Sequence, residues 1–270
     1  MWPFYLLLNK LLYGEDDDDE DAVGLDGDVV NVGGWHQVKP SSGGRACFDA
    51  ALPVSQFIGV MHVNQLHSWD CGVACVLMVL NAVGIENCSL EALIDLCGTT
   101  SIWTVDLVFL LLKFPVKFSY FTVTIGVNPS YSDEKFYEEQ LPTDLIRVDT
   151  LFQKAVAEGV DIQCRSVNER ELSRLILSGK YLAIALVDLC KFSRSWLEDV
   201  IVSSIRDSSL GYTGHYIVIC GYDASSDEFE IRDPASSRDK ISSKCLEEAR
   251  RTFGTDEDLI LISLECSDNR

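Results

Sequence analysis

The longest apolar stretch of the chain is "CGVACVLMVLNAVG", residues 71–84, in which nearly every position up to Leu80 is small or hydrophobic. A helix that is apolar all round belongs in a core. The pattern therefore predicts a buried helix from Cys71, closed by Gly84 at the position where a left-handed residue ends a helix. "SLEALIDLCG" predicts a second helix with Ser89 as N-cap, and "TVDLVFLLLKF" a third from Thr104. The second half of the chain alternates. "KFSYFTVTI" reads as a strand and "DTLFQKAVAEG" as a helix, and "NERELSRLILSG" opens with Asn168 and Glu171 in capping-box positions. "YLAIALVDL", "HYIVICGYD", "DEFEIRD" and "DLILISLEC" are rich in Ile, Val and Leu and read as strands, with the helix "SKCLEEARRTFG" between the last two. Helices gathered early and a largely antiparallel sheet later predict an α+β fold of two lobes, with a site in the cleft between them.

The polar positions divide the chain further. "MWPFYLLLNKLLYG", residues 1–14, is apolar but too short to span a bilayer. Its readings are a short docked helix, with Pro3 in the first turn, or an anchor for a protein partner or a membrane, the acidic run beside it opposing anionic lipid. Residues 15–34 begin with "EDDDDED" and are Gly-rich, so they read as an acidic, flexible linker. Residues 35–270 read as one α+β domain. The apolar start lacks a basic lead and a small-residue cleavage site, so no secretory leader is expected.

Composition changes this picture in two respects. The net charge of -20 disfavours nucleic acid and anionic membrane surfaces as general partners. The ten cysteines include no CxxC pair, which points to reduced thiols and a cytoplasmic protein rather than a disulfide framework. His62 and His67 lie near Cys71 without the clustered spacing of a zinc site.

The candidate chemistry begins at the front of the first helix. Asp70 is a fair N-cap, which puts Cys71 in the first turn, where free N–H groups and the macrodipole favour an anion. Cys75, one turn deeper, is expected to be an inert core thiol. Gln65 lies six residues upstream of Cys71, close enough for its carboxamide N–H to join the Cys71 N–H as an oxyanion hole. A thiol nucleophile also needs a base. Of the four histidines, only His215 opens a strand. If the chain turns back near Ser225, antiparallel register places the partner of His215 at positions 233–235. Asp233, fixed by Pro234, stands there. An imidazole and a carboxylate at adjacent strand ends are a general base and the group that orients it.

This order of residues, Gln-x5-Cys-Gly at a helix start followed by "GHYIVICGYD" and "IRDPA", resembles papain-like peptidases, above all those that cleave bacteriocin leader peptides. The resemblance implies Gln65 as oxyanion-hole donor, Cys71 as nucleophile, His215 as base and Asp233 as its orienter. A longer resemblance runs through "MWPFYLLLNKLL", "QLHSWDCGVACVLMVL", "YFTVTIGVNPSYSDEKFYEEQLPTDLIRVDTLF" and "EFEIRDPASSR". These segments are similar to the plant soluble guanylyl-cyclase-type proteins, relatives of an animal guanylyl-cyclase-domain family. That resemblance implies conversion of GTP to cyclic GMP and pyrophosphate with Mg2+.

The residues themselves carry no GxxxxGK[ST] loop and no GxGxxG. The best place for a nucleotide is "GKYLAIALVDLCKFSR", with Lys180, Tyr181, Asp188, Lys191 and Arg194 around a strand, and no magnesium ligands can be nominated from spacing. Three functions are therefore expected to compete. They are a guanylyl cyclase acting on GTP, a papain-like thiol hydrolase acting on a peptide or acyl substrate, and a non-catalytic adaptor on the same scaffold.

Overall fold

A computed structural model describes residues 52–128, 130–131, 141–197 and 212–264. The segments expected at 1–14 and 15–34 lie outside the described residues. All that follows concerns the unit Phe48–Arg270.

The helix predicted from the apolar run is α1, Cys71–Ala82, whose residues from Cys71 to Leu80 are all buried. It ends as expected. Gly84 takes φ +84°, and the N–H groups of Gly84 and Ile85 return to the carbonyls of Asn81 and Leu80. Two further helices, α2 (Leu90–Cys97) and α3 (Thr104–Leu111), follow. The Ser89 hydroxyl caps α2 by accepting from the Ala92 N–H. A fourth, α4, spans Leu141–Ala157 and begins well before the expected Asp149. Pro142 falls in its first turn, where a missing N–H costs nothing, so the proline opens the helix and does not break it.

The sheet contains β1 (Ser55–Phe57), β2 (Phe118–Thr122), β3 (Ile162–Cys164), β4 (Tyr181–Asp188), β5 (Gly214–Asp223), β6 (Glu228–Arg232), β7 (Lys240–Ser242) and β8 (Leu259–Ser263). Its order among the described residues is β3-β2-β8-β4-β5-β6-β7. Among the described strands only the β2–β3 pair is parallel. Beyond Ile219, where β4 stops pairing with β5, β1 pairs antiparallel with Gly221–Asp223. A Cβ at Gly221 would come within 2.9 Å of the Gln56 carbonyl oxygen, so only glycine lets β1 approach there. Helices α5 (Glu169–Leu177), α6 (Leu189–Leu197) and α7 (Ser243–Arg250) complete the unit.

Alternation along the central strands builds two cores. Leu182, Ile184 and Leu186 of β4 pack with α1–α4, whereas Ala183, Ala185 and Val187 pack with α5–α7. A strand buried on both faces reads as an unbroken apolar run, which is why "YLAIALVD" shows no polar alternation. This is an α+β fold with its helices first and a largely antiparallel sheet later.

Two expectations shift. The strand from Tyr181 ends at Asp188, and the chain turns into α6. The Asp188 carboxylate holds that turn by accepting from the N–H of Cys190. Lys180 and Tyr181 therefore lie at one end of β4 and Lys191 and Arg194 beyond the other. Eight strand residues at about 3.3 Å each separate them, so they do not form one cluster.

Candidate active site

The hairpin predicted around Ser225 is present. β5 and β6 pair antiparallel, with Val218 opposite Arg232 and Asp223 opposite Glu228, and a bulge falls at Cys220. The register carries His215 to the neighbourhood of Asp233 just past the last pair. There His215 Nε2 lies 2.7 Å from Asp233 Oδ1, with both side chains buried. Cys71 is the second side chain close enough to act electrostatically on the His215 ring. The front of α1 and the ends of β5 and β6 thus bring together three residues drawn from positions 71, 215 and 233.

Each is held by local structure. Cys71 is the first residue of α1 and is buried. Gly72 lets the helix start lie close against the sheet, because a Cβ there would come within 2.9 Å of Leu107 Cδ1 and 3.0 Å of Tyr216 Cδ2. Both oxygens of the Asp233 carboxylate have donors: Oδ1 also accepts from the Ala235 N–H at 2.9 Å, and Oδ2 accepts from the Ser236 hydroxyl. Phe192 of α6 packs beside the imidazole, with ring centroids 6.2 Å apart.

Burial and bonding act against each other in this cluster. Burial favours neutral His215, but the hydrogen bond to Asp233 and the influence of Cys71 outweigh it and push its pKa up to about 9. Burial would likewise raise the Asp233 carboxyl, yet the bonds from His215, Ser236 and the Ala235 N–H hold it below the ordinary carboxylate value. Both shifts favour the charged forms, imidazolium at His215 and carboxylate at Asp233. Cys75 is the contrasting case. It is fully buried, and burial pushes its thiol well above the ordinary value, with Cys71 and Asp233 adding to the effect.

Gln65 and Asp70 are placed differently from the simplest reading. Asp70 occupies the N-cap position, its carbonyl accepting from the Ala74 N–H, but its carboxylate makes no cap bond to the helix. It turns back to accept from the N–H groups of Leu66 and His67 at 3.1 and 3.0 Å, fixing the loop that carries Gln65. Gln65 Nε2 donates to the His67 carbonyl at 2.6 Å, while Oε1 is buried with no hydrogen-bond partner. A carboxamide nitrogen has two hydrogens, so one N–H remains for another acceptor.

A residue with no sequence signal completes the frame. His62 Nε2 lies 2.8 Å from the Asp233 carbonyl oxygen and 3.1 Å from that of Ser236. The Gln65 N–H donates to the Pro234 carbonyl at 2.9 Å. The segment before α1 and the Asp233 turn are thus fastened together by main-chain acceptors, which no side-chain motif reveals. Among the described residues no three His, Cys, Asp or Glu side chains are grouped to hold a metal ion. None of the described helices is long and apolar enough to cross a membrane.

The chain is similar to known proteins in three respects. The chain is similar to a crystal structure described as a C39-like peptidase from Bacillus anthracis, with 15% identity over 77% of this chain and 96% of the other and a TM-score of 0.44. It is 58% identical over 267 residues, 98% of this chain and 97% of the relative, to "Guanylyl cyclase 1" of Arabidopsis thaliana. The family described as "Guanylylate cyclase" matches residues 60–262, a span that contains Gln65, Cys71, His215 and Asp233. With three-quarters of its length inside that match and a relative 58% identical over 98% of it, the chain belongs to the guanylylate cyclase family.

Proposed function

We propose that the Cys71–His215–Asp233 cluster is the working site of a thiol enzyme that transfers or hydrolyses acyl groups. One observation carries this reading: a buried imidazole lies 2.7 Å from a carboxylate and within electrostatic reach of the first-turn cysteine of a helix. In the step it supports, Cys71 Sγ attacks an acyl carbon as the thiolate and the C–S bond forms. The oxyanion meets the Cys71 N–H, which has no partner within the helix, and the remaining Gln65 N–H. Collapse breaks the bond to the leaving amine or alcohol, which takes the His215 proton. His215 then accepts a proton from water, which hydrolyses the thioester. Asp233 keeps the ring oriented throughout.

Limiting iodoacetamide on the full-length protein at neutral pH tests this reading. Peptide mapping is expected to show Cys71 labelled first and His215→Ala to slow it. Uniform labelling of the more exposed cysteines would count against it.

A second reading, GTP converted to cyclic GMP and pyrophosphate, is favoured by the 58% identity to a protein named as a guanylyl cyclase. The ribose 3′ oxygen would attack the α-phosphorus and pyrophosphate would leave, which calls for cations on the phosphates. No grouped metal ligands are found among the described residues, so in this reading magnesium enters on the nucleotide. Purified protein supplied with GTP and Mg2+ should then form cyclic GMP, detected by mass spectrometry. Activity that survives in Cys71→Ala would place that chemistry away from the thiol, and absence of product would remove it. Silence in both assays would leave the adaptor.

A further inference from the structure

The outer face of α5 and the start of β4 border a cavity of about 450 Å³. That size falls within the range of small-ligand sites, roughly 300–1,000 Å³. Its lining includes Arg170, Arg174 and Lys180 together with Leu175, Ser178 and Tyr181. Three cations around one cavity are unexpected in a chain of net charge -20. Arg170 and Arg174 stand four residues apart on α5, so they share a face one turn, about 6 Å, apart.

The one acidic residue of the lining, Glu171, is already engaged. Both of its oxygens accept from Arg165, at 2.9 and 2.7 Å. Among the described residues neither Arg170 nor Arg174 is paired with a carboxylate. Tyr181 and Leu175 add an aromatic ring and an apolar side chain to the lining.

We infer that this cavity is a nucleoside polyphosphate site, with Arg170, Arg174 and Lys180 on the phosphates and Tyr181 against the base. Guanidinium groups suit phosphate because their planar N–H forks match its oxygens. An aromatic face suits a base by stacking. The site is separate from Cys71 and does not rest on the thiol reading. It deepens the GTP reading by giving the nucleotide a place to bind.

The test is calorimetric titration of the full-length protein with GTP, with competition by sodium tripolyphosphate and by guanosine. Arg170→Glu/Arg174→Glu is expected to weaken GTP binding at least tenfold. Lys154→Glu, an equal charge change per position at an exposed site on α4, should leave it within twofold. Tripolyphosphate should compete and guanosine should compete weakly. Loss in the double variant without any cyclic GMP formed by the parent would uphold the site and remove only the cyclase reading. No GTP binding at millimolar concentration, equal weakening by Lys154→Glu, or competition by guanosine alone would overturn the inference.

Discussion

Two clusters of buried charge behave differently although both are built on carboxylates. In one, Arg147 of α4 bridges Asp106 of α3 and Asp144 of α4. Every carboxylate oxygen there has a donor. Asp106 accepts from Arg147 and from the Trp103 N–H, and Asp144 accepts from Arg147, the Ser101 hydroxyl and Trp103 Nε1. In the other cluster both oxygens of Asp233 likewise have donors, but its partner His215 is also under the influence of Cys71. The first network closes on itself and fastens helices. The second ends beside a thiol. Burial alone does not distinguish the two clusters; the group standing at the end of each does.

The largest effect that would sharpen this contrast is Cys71→Ala. It should abolish acyl chemistry by on the order of a thousandfold or more, while thermal unfolding stays close to that of the parent. Next comes Arg147→Met, which leaves two carboxylates without their cation. It should cost about 3–5 kcal/mol in denaturant unfolding, yet leave the rate of Cys71 alkylation unchanged in the folded protein. An altered alkylation rate would show the two clusters to be coupled and would break the comparison. Smaller still is His62→Ala, which removes the bond to the Asp233 and Ser236 carbonyls. A loss of roughly 1 kcal/mol of stability is expected, with slower Cys71 alkylation as the Asp233 turn loosens. Stability lost with no change in alkylation would make His62 a fastening of the fold alone.

How much of this was legible in the sequence follows from the range of each signal. The approach of His215 and Asp233 was readable because a hairpin is local: one turn and a period of two fix every pairing, and the bulge at Cys220 shifts them by only one residue. α1 was readable from its unbroken apolar run. The three-residue strands β1, β3 and β7 were too short to show a pattern. α6 was missed because its first residue continues the apolar run of β4. The role of His62 lay beyond reach, since it acts on main-chain carbonyls 171 and 174 residues away. The Arg147 network was hidden for a similar reason. Its members are spread over Ser101, Trp103, Asp106 and Asp144, and no spacing announces that they meet.

The central claim is that Cys71, His215 and Asp233 form one electrostatic unit, and the His215 titration reads it most directly. Its folded pKa of about 9 lies above the ordinary 6.5. The resulting stabilisation is fully present below about pH 6.5 and is lost as pH rises through about 9. Imidazole NMR of the full-length protein should show His215 keeping its proton to about pH 9. Asp233→Asn and Cys71→Ala should each bring its titration to lower pH. A parent His215 that titrates near 6.5 and does not move in either variant would contradict the account.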